Sequence, residues 1–153
     1  MTWTEYFVGL AEHVKLKSKD RSFKCGAVII GPDNEVVSTG YNSFPRGLDD
    51  DKEERHQRPA KYLWTIHAEL NSILNAARIG VSTKGCVMYT TTDIPCTGCA
   101  GSIINAGISV VYCVRGGGPH TSHWVGHPEI SLKMFDEANV VVKYSNFPNE
   151  NIG

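Results

Sequence analysis

Apolar positions recur along the chain with two different periods, and the switches between them outline its elements. Trp3, Tyr6, Phe7, Leu10 and Val14 follow one another at helical steps, which predicts an amphipathic helix over residues 3–17. Cys25 to Ile30 and Val36 to Tyr41 are short apolar runs. Gly31-Pro32-Asp33-Asn34-Glu35 separates them, so the two runs predict a hairpin. Residues 43–62 are polar and charged, hold two prolines and keep no period; they read as a long loop of the kind that compact domains keep for function. The helical period returns from Ile66 through Leu70, Ile73, Leu74 and Ala77, with Gly80 placed to cap it. A strand over 86–91, a helix from Cys96 to Gly107, a strand over 108–114, a break at 116–119, a helix over 128–138 and a strand over 140–144 complete the pattern.

The predicted order is α-β-β-α-β-α-β-α-β. Strands alternating with helices in the second half imply parallel pairing and a sheet covered on both faces. The expected fold class is therefore α/β: a three-layer α/β/α domain with a mixed five-stranded sheet whose last strands are parallel. At 153 residues, one such domain over residues 1–153 accounts for the length. With 41% hydrophobic and 20% charged residues, the composition is that of a globular protein. A formal net charge of −1 removes any general electrostatic hold on nucleic acid or an anionic membrane. No apolar stretch is long enough for a membrane span, and Met1-Thr2-Trp3-Thr4-Glu5 lacks the basic start of a secretory signal. A cytoplasmic protein is expected.

The cysteines sharpen the picture. An odd count of five, with one close pair, does not suit a disulfide framework. Cys25, Cys86 and Cys113 fall in strand candidates, where a cysteine is usually a small buried apolar residue. Cys96 and Cys99 differ: they stand three apart behind Pro95, at the start of a predicted helix, and so share one helix face. Two thiolates so placed can hold one Zn²⁺ at about 2.3 Å each. His67, with Glu69 two residues on, opens the preceding helix and offers a third ligand. A redox Cys-x-x-Cys would be expected after the first strand of a thioredoxin-like unit rather than after the third. A structural zinc site would want four protein ligands.

Three protein ligands leave one zinc position open to water, and the bound metal lowers that water's pKa from about 15.7 to about 7. Two helix N-termini aimed at the site favour the thiolates. Glu69, not itself a ligand, is placed to take the water's proton and return it to the substrate. General acid–base work of this kind is worth about 10²–10⁴-fold.

His67-Ala68-Glu69 together with Pro95-Cys96-x-x-Cys99 is the signature of the zinc-dependent nucleobase deaminases. Within that superfamily the chain resembles the deoxycytidylate (dCMP) deaminases. The likeness runs from about Ser18 to Cys113 through Ser18-Lys19-Asp20, Gly26-Ala27-Val28, the segment Gly40-Tyr41-Asn42-Ser43-Phe44-Pro45-Arg46-Gly47, and Ile103-Ile104-x-Ala106-Gly107-Ile108. Ser43 stands where that branch usually has glycine. The resemblance implies a cytidine-deaminase-like fold and hydrolysis of dCMP to dUMP and ammonia, by zinc-bound hydroxide with a glutamate proton shuttle, feeding thymidylate synthesis. It implies His67, Cys96 and Cys99 as zinc ligands, Glu69 as the shuttle, Asn42 near the sugar hydroxyl and the Ala68 N–H as donor to the pyrimidine carbonyl. It further implies a homohexamer activated by dCTP and inhibited by dTTP with Mg²⁺, with Gly40, Tyr41, Asn42, Pro45 and Gly47 as a regulatory nucleotide loop.

For the substrate phosphate the candidates are Arg46, Arg58, Lys61, Arg115, His120 and His123. Arg115 leads, because it follows the C-terminal end of a strand, where ligands bind in open α/β sheets. The run Gly116-Gly117-Gly118 predicts a mobile loop over the pocket, and Trp124 either stacks on a base or fills core. Two other readings remain open. One is a superfamily deaminase acting on cytidine, cytosine or tRNA adenosine, although a polynucleotide editor should show a basic stripe. The other is a non-catalytic zinc module, which would have no use for Glu69.

Overall fold

The computed structural model describes residues 1–118 and 124–145. Thr2 caps the first helix, α1 (Trp3–Lys15): its hydroxyl accepts the Glu5 N–H, while the Glu5 carboxylate accepts the Thr2 N–H. The hairpin follows as β1 (Gly26–Ile30) and β2 (Val36–Tyr41), paired antiparallel with an irregularity at Ile29/Ile30. Residues 43–62, expected as loop, carry two single-turn helices at or near their end, α2 (Glu53–His56) and α3 (Lys61–Trp64). Four-residue helices present no apolar stripe, so periodicity could not signal them. Then come α4 (Ala68–Ile79), β3 (Val87–Thr90), α5 (Thr97–Asn105), β4 (Val110–Val114), α6 (His127–Glu137) and β5 (Val141–Ser145). Gly80 ends α4 in the left-handed region, at φ 85°, as its type predicts.

The five strands lie in the order β2-β1-β3-β4-β5. The β1–β2 and β1–β3 pairs are antiparallel, while β3–β4 and β4–β5 are parallel. β1 is buried along its whole length because both faces are covered, whereas the edge strands β2 and β5 alternate or lie exposed. On one face α1 sets Phe7, Val8 and Ala11 against Val28, Ile30 and Tyr89. On the other face α4, α5 and α6 pack onto Ile29, Met88, Val111 and Cys113 through Ile73, Ile103 and Phe135. The expected three layers and mixed sheet are present.

Two close approaches explain glycines in the predicted strands. A Cβ on Gly40 would sit 2.3 Å from the Ser72 nitrogen and 2.6 Å from the Ala68 carbonyl oxygen, so β2 carries α4 nearly backbone to backbone. A Cβ on Gly26 would meet the Ala11 carbonyl oxygen at 2.2 Å, which seats α1 on β1 in the same way. The first of these contacts fixes the height of the α4 N-terminus above the sheet. The carboxyl end of β3 feeds directly into the loop before α5, so the starts of α4 and α5 converge at one end of the sheet. No helix among the described residues is long and apolar enough to cross a membrane.

Candidate active site

His67 is the N-cap of α4 and Cys96 the N-cap of α5; neither side chain caps its helix. Both side chains are free to meet instead. His67 Nδ1 lies 3.4 Å from Cys96 Sγ and 3.4 Å from Cys99 Sγ. All three ligand atoms fall within 4.8 Å of one another. A tetrahedral zinc with Zn–S about 2.3 Å and Zn–N about 2.0–2.1 Å separates sulfur from nitrogen by roughly 3.5 Å, so the donor set fits that ion. The coordinating nitrogen would be Nδ1. No further Cys, His, Asp or Glu joins the cluster among the described residues, so a metal held here keeps an open position.

The charges follow the geometry. The Cys99 thiol donates to Cys96 and, with His67 assisting, pulls the Cys96 thiol well below the usual range against the cost of burial. The same contact, together with burial, pushes Cys99 up. His67 is raised because Cys96 accepts from its ring. A cation would replace the shared protons, and two helix N-termini face it.

Glu69 lies in the first turn of α4, only 5% exposed, with its Oε1 accepting the Thr92 hydroxyl at 2.9 Å. His67, Glu69, Thr92 and Cys96 line a cavity of about 630 Å³, a size suited to a small ligand. Ala68 opens α4, so its N–H has no acceptor within the helix, and it too lines the cavity. Trp124 also lines the cavity, with its ring 5.0 Å from His67 and 5.2 Å from His127, edge to face with both. Trp124, read from the sequence as a base-stacking or core residue, thus lies beside the histidine of the metal cluster. His127 Nδ1 accepts the Thr97 N–H at 3.2 Å, and Ser131 donates to the Pro95 carbonyl at 2.7 Å; together they clamp α6 onto the start of α5.

The remaining candidates divide. Asn42 lines the cavity, but its side chain also holds the chain in place: Oδ1 accepts the Cys25 N–H and Nδ2 donates to the Phe23 carbonyl. One N–H of the amide is left for a ligand. Gly40, Tyr41, Pro45 and Gly47 do not line the cavity; Gly40 serves the α4 contact, and the Tyr41 carbonyl accepts from Asn71. Of the phosphate candidates, the structure brings Arg58 and Lys61 to the cavity. Arg115, the leading candidate, stacks over Tyr144 with its guanidinium carbon 4.0 Å from the ring centre and is not among the lining residues. β4 ends beside β5, and the aromatic ring there captures the guanidinium. Arg46 is exposed and donates to Asn75. His120 and His123 lie outside the described residues. The glycine run lies at the site: Gly117 and Gly118 line the cavity, and the Gly116 N–H donates to Asp93.

Thr92, His127 and the Asp20–Lys61 ion pair at the cavity rim had no reading in the sequence as a unit. A threonine run at a strand end signals only β-propensity, and no spacing rule joins residues 41 apart.

Comparison with known proteins agrees with this geometry. Residues 1–115 match the family described as the cytidine and deoxycytidylate deaminase zinc-binding region. A protein of Aliivibrio fischeri, named an uncharacterized deaminase in the luxG 3' region, is 40% identical over 142 residues, covering 93% of this chain and 92% of that one. A mouse deoxycytidylate deaminase is 40% identical over 116 residues, covering 72% of this chain and 64% of that one. The chain thus spans somewhat under two thirds of the mouse enzyme. Among solved structures, the dCMP deaminase of cyanophage S-TIM5 in complex with dCMP and dUMP superposes with a TM-score of 0.71. It is 22% identical, and 92% of this chain and 95% of that one are covered, a likeness of fold.

Proposed function

The chain belongs to the cytidine and deoxycytidylate deaminase family, and on that footing we propose that it hydrolyses dCMP to dUMP and ammonia. One observation carries the reading: a three-ligand His67/Cys96/Cys99 cluster with a buried carboxylate, Glu69, lining the same cavity as His67 and Cys96. Zinc held there supplies the Lewis acidity that makes water a nucleophile near neutral pH. The residues of the chain do the rest. Glu69 takes a proton from the attacking water, passes it to the pyrimidine ring nitrogen, and later delivers a proton to the departing amino group. Water thus contributes the new carbonyl oxygen, and ammonia carries away the nitrogen. The Ala68 N–H donates to the pyrimidine carbonyl and fixes the ring's orientation. Trp124 walls the ring and excludes water. Asn42 offers its remaining N–H to the sugar hydroxyl.

The phosphate belongs with Arg58. It lines the cavity and makes no ion pair among the described residues, whereas Lys61 is engaged with Asp20. A guanidinium suits a phosphate through its bidentate fork.

The zinc-loaded protein is assayed on dCMP, dCTP, cytidine, cytosine and a short RNA hairpin. Ammonia release and loss of absorbance with dCMP, and little with the others, support the reading. An intact dCMP pool beside fully zinc-loaded protein would overturn it. Cytoplasmic supply of dUMP for thymidylate synthesis, a homohexameric assembly, activation by dCTP and inhibition by dTTP with Mg²⁺ extend the proposal. The segment holding Gly40, Tyr41, Asn42, Pro45 and Gly47 is the place for the effector, since Pro45 and Gly47 are exposed beyond β2. Assays with and without the two triphosphates, and sedimentation of the purified protein, test this extension.

A further inference from the structure

We infer that Thr92 is a positioning residue for Glu69: its hydroxyl commits one carboxylate oxygen and leaves the other as the oxygen that carries the proton. The inference rests on the deaminase reading above, in that it assigns Glu69 the proton transfers. The geometry is specific. Thr92 Oγ1 donates to Glu69 Oε1 at 2.9 Å, and both residues are buried, at 7% and 5% exposure. The Thr92 backbone is itself held, since its carbonyl accepts the Val114 N–H at 2.8 Å and the Thr90 hydroxyl at 3.1 Å. Among the described residues the hydroxyl has one alternative acceptor, Thr90 Oγ1 at 3.4 Å. A charged carboxylate at the shorter distance outcompetes a neutral hydroxyl at the longer one, so the Thr92 proton goes to Glu69.

The consequence is a choice between two oxygens. The terminal torsion of a glutamate is broad and roughly two-fold, so an unrestrained carboxylate presents either oxygen in many orientations. With Oε1 accepting from Thr92, that torsion is pinned and Oε2 is the free base. A proton taken from water then resides on Oε2 and is handed on from the same place. Both transfers use one oxygen at one position, as a relay between water, ring nitrogen and amino group requires. Thr92 touches no reacting atom, and its contribution runs wholly through Glu69.

The test replaces the hydroxyl without changing the shape. Thr92→Val removes the donor and keeps the volume, Thr92→Ala is a second donor-free variant should the first fail to fold, and Thr92→Ser restores a hydroxyl. Zinc content, kcat and KM are measured on whichever nucleotide of the panel the unaltered protein deaminates best. The carboxyl carbon of Glu69 is followed in parallel by NMR in ¹³C-glutamate-labelled zinc-loaded protein, with Glu69→Gln identifying its resonance. Expected are unchanged zinc content and a KM within about twofold for Thr92→Val. Its kcat falls about 10–100-fold, the effect of losing part of a general acid–base contribution. The Glu69 resonance shifts, and Thr92→Ser recovers most of kcat. A wild-type kcat in Thr92→Val, an unmoved Glu69 resonance, or a Thr92→Ser variant as impaired as Thr92→Val would overturn the inference. Absence of deamination by the unaltered protein on every substrate would sink the functional reading instead, and the resonance shift would still decide whether Thr92 holds Glu69.

Discussion

Asp20 and Lys61 meet at the rim of the cavity, with Lys61 Nζ 3.1 Å from the Asp20 carboxylate and the two side chains only 9% and 11% exposed. The same carboxylate accepts the Ser22 and Phe23 N–H groups, so one side chain ties together the loop after α1 and the α3 turn. Neighbouring Lys19 and Arg21 reach the same stretch, through Asp50, Asp51 and Glu53, but at exposed positions where such pairs contribute little. The buried pair is therefore the one whose loss matters. Burial alone would raise the Asp20 pKa, but the Phe23 and Ser22 N–H groups and Lys61 together carry it below the ordinary value of 3.8. A carboxyl whose folded pKa is depressed contributes stability above its unfolded value and loses it as pH falls through the folded value. Asp20→Asn should lower stability by about 3 kcal/mol near neutral pH, the order of breaking a buried pair. The gap in Tm between the two proteins should be widest at pH 7 and narrow below pH about 4. A gap independent of pH would contradict the role of the charge.

Glu69→Gln keeps the shape of the side chain and removes its capacity to take a proton. Zinc content should match the unaltered protein, while kcat on dCMP falls at least about 10²-fold. Metal analysis and a steady-state ammonia assay on the same preparation check both halves; retained turnover would refute the proton role.

The metal should stabilise the fold as well as activate it, because its ligands come from two helices. Removal by a chelator is expected to abolish activity and lower Tm, with recovery on adding Zn²⁺. At a free zinc concentration a hundredfold above Kd, the stabilisation is about 2.7 kcal/mol. Since Cys99 and His67 hold their protons tightly without the metal, zinc affinity should fall as pH falls. Cys96→Ser or Cys99→Ser should lose the ion at any pH tested, as read by metal content after dialysis.

If Arg58 carries the substrate phosphate, its loss is felt only by a substrate that has one. Arg58→Ala should raise KM for dCMP about tenfold or more, the order of a charge-assisted hydrogen bond lost, and leave deoxycytidine kinetics nearly unchanged. Equal effects on nucleotide and nucleoside would reassign the residue.

Gly40 tests the packing that sets the site. A methyl group there has no room, because the atoms within 2.8 Å are the backbone of α4 itself. Gly40→Ala should cost about 3 kcal/mol, the upper end for overpacking, and should weaken zinc binding by lifting the helix that begins at His67. Thermal melting and zinc titration check the two effects together.

The metal-ligand cluster was legible in the sequence because its halves are local. His67 and Glu69 stand at one helix start and Cys96 and Cys99 at another, and the three-residue spacing of the two cysteines puts them on one face. The long elements were legible too, since α1 and α4 each repeat their period several times and the hairpin is two apolar runs joined by turn formers. What tertiary structure alone decided lies between elements distant in the chain. It chose Nδ1 of His67 as the atom facing both sulfurs, set Thr92 against Glu69 across 23 residues and sent Arg115 to Tyr144 rather than to the cavity. It also turned the period-free stretch around residues 53–64 into two short helices, with Lys61 opening the second and Arg58 in the connection between them, both lining the cavity. Periodicity reports only which face of an element is buried; the partner across the gap is set by strand order and helix height, and those arise when the whole chain packs.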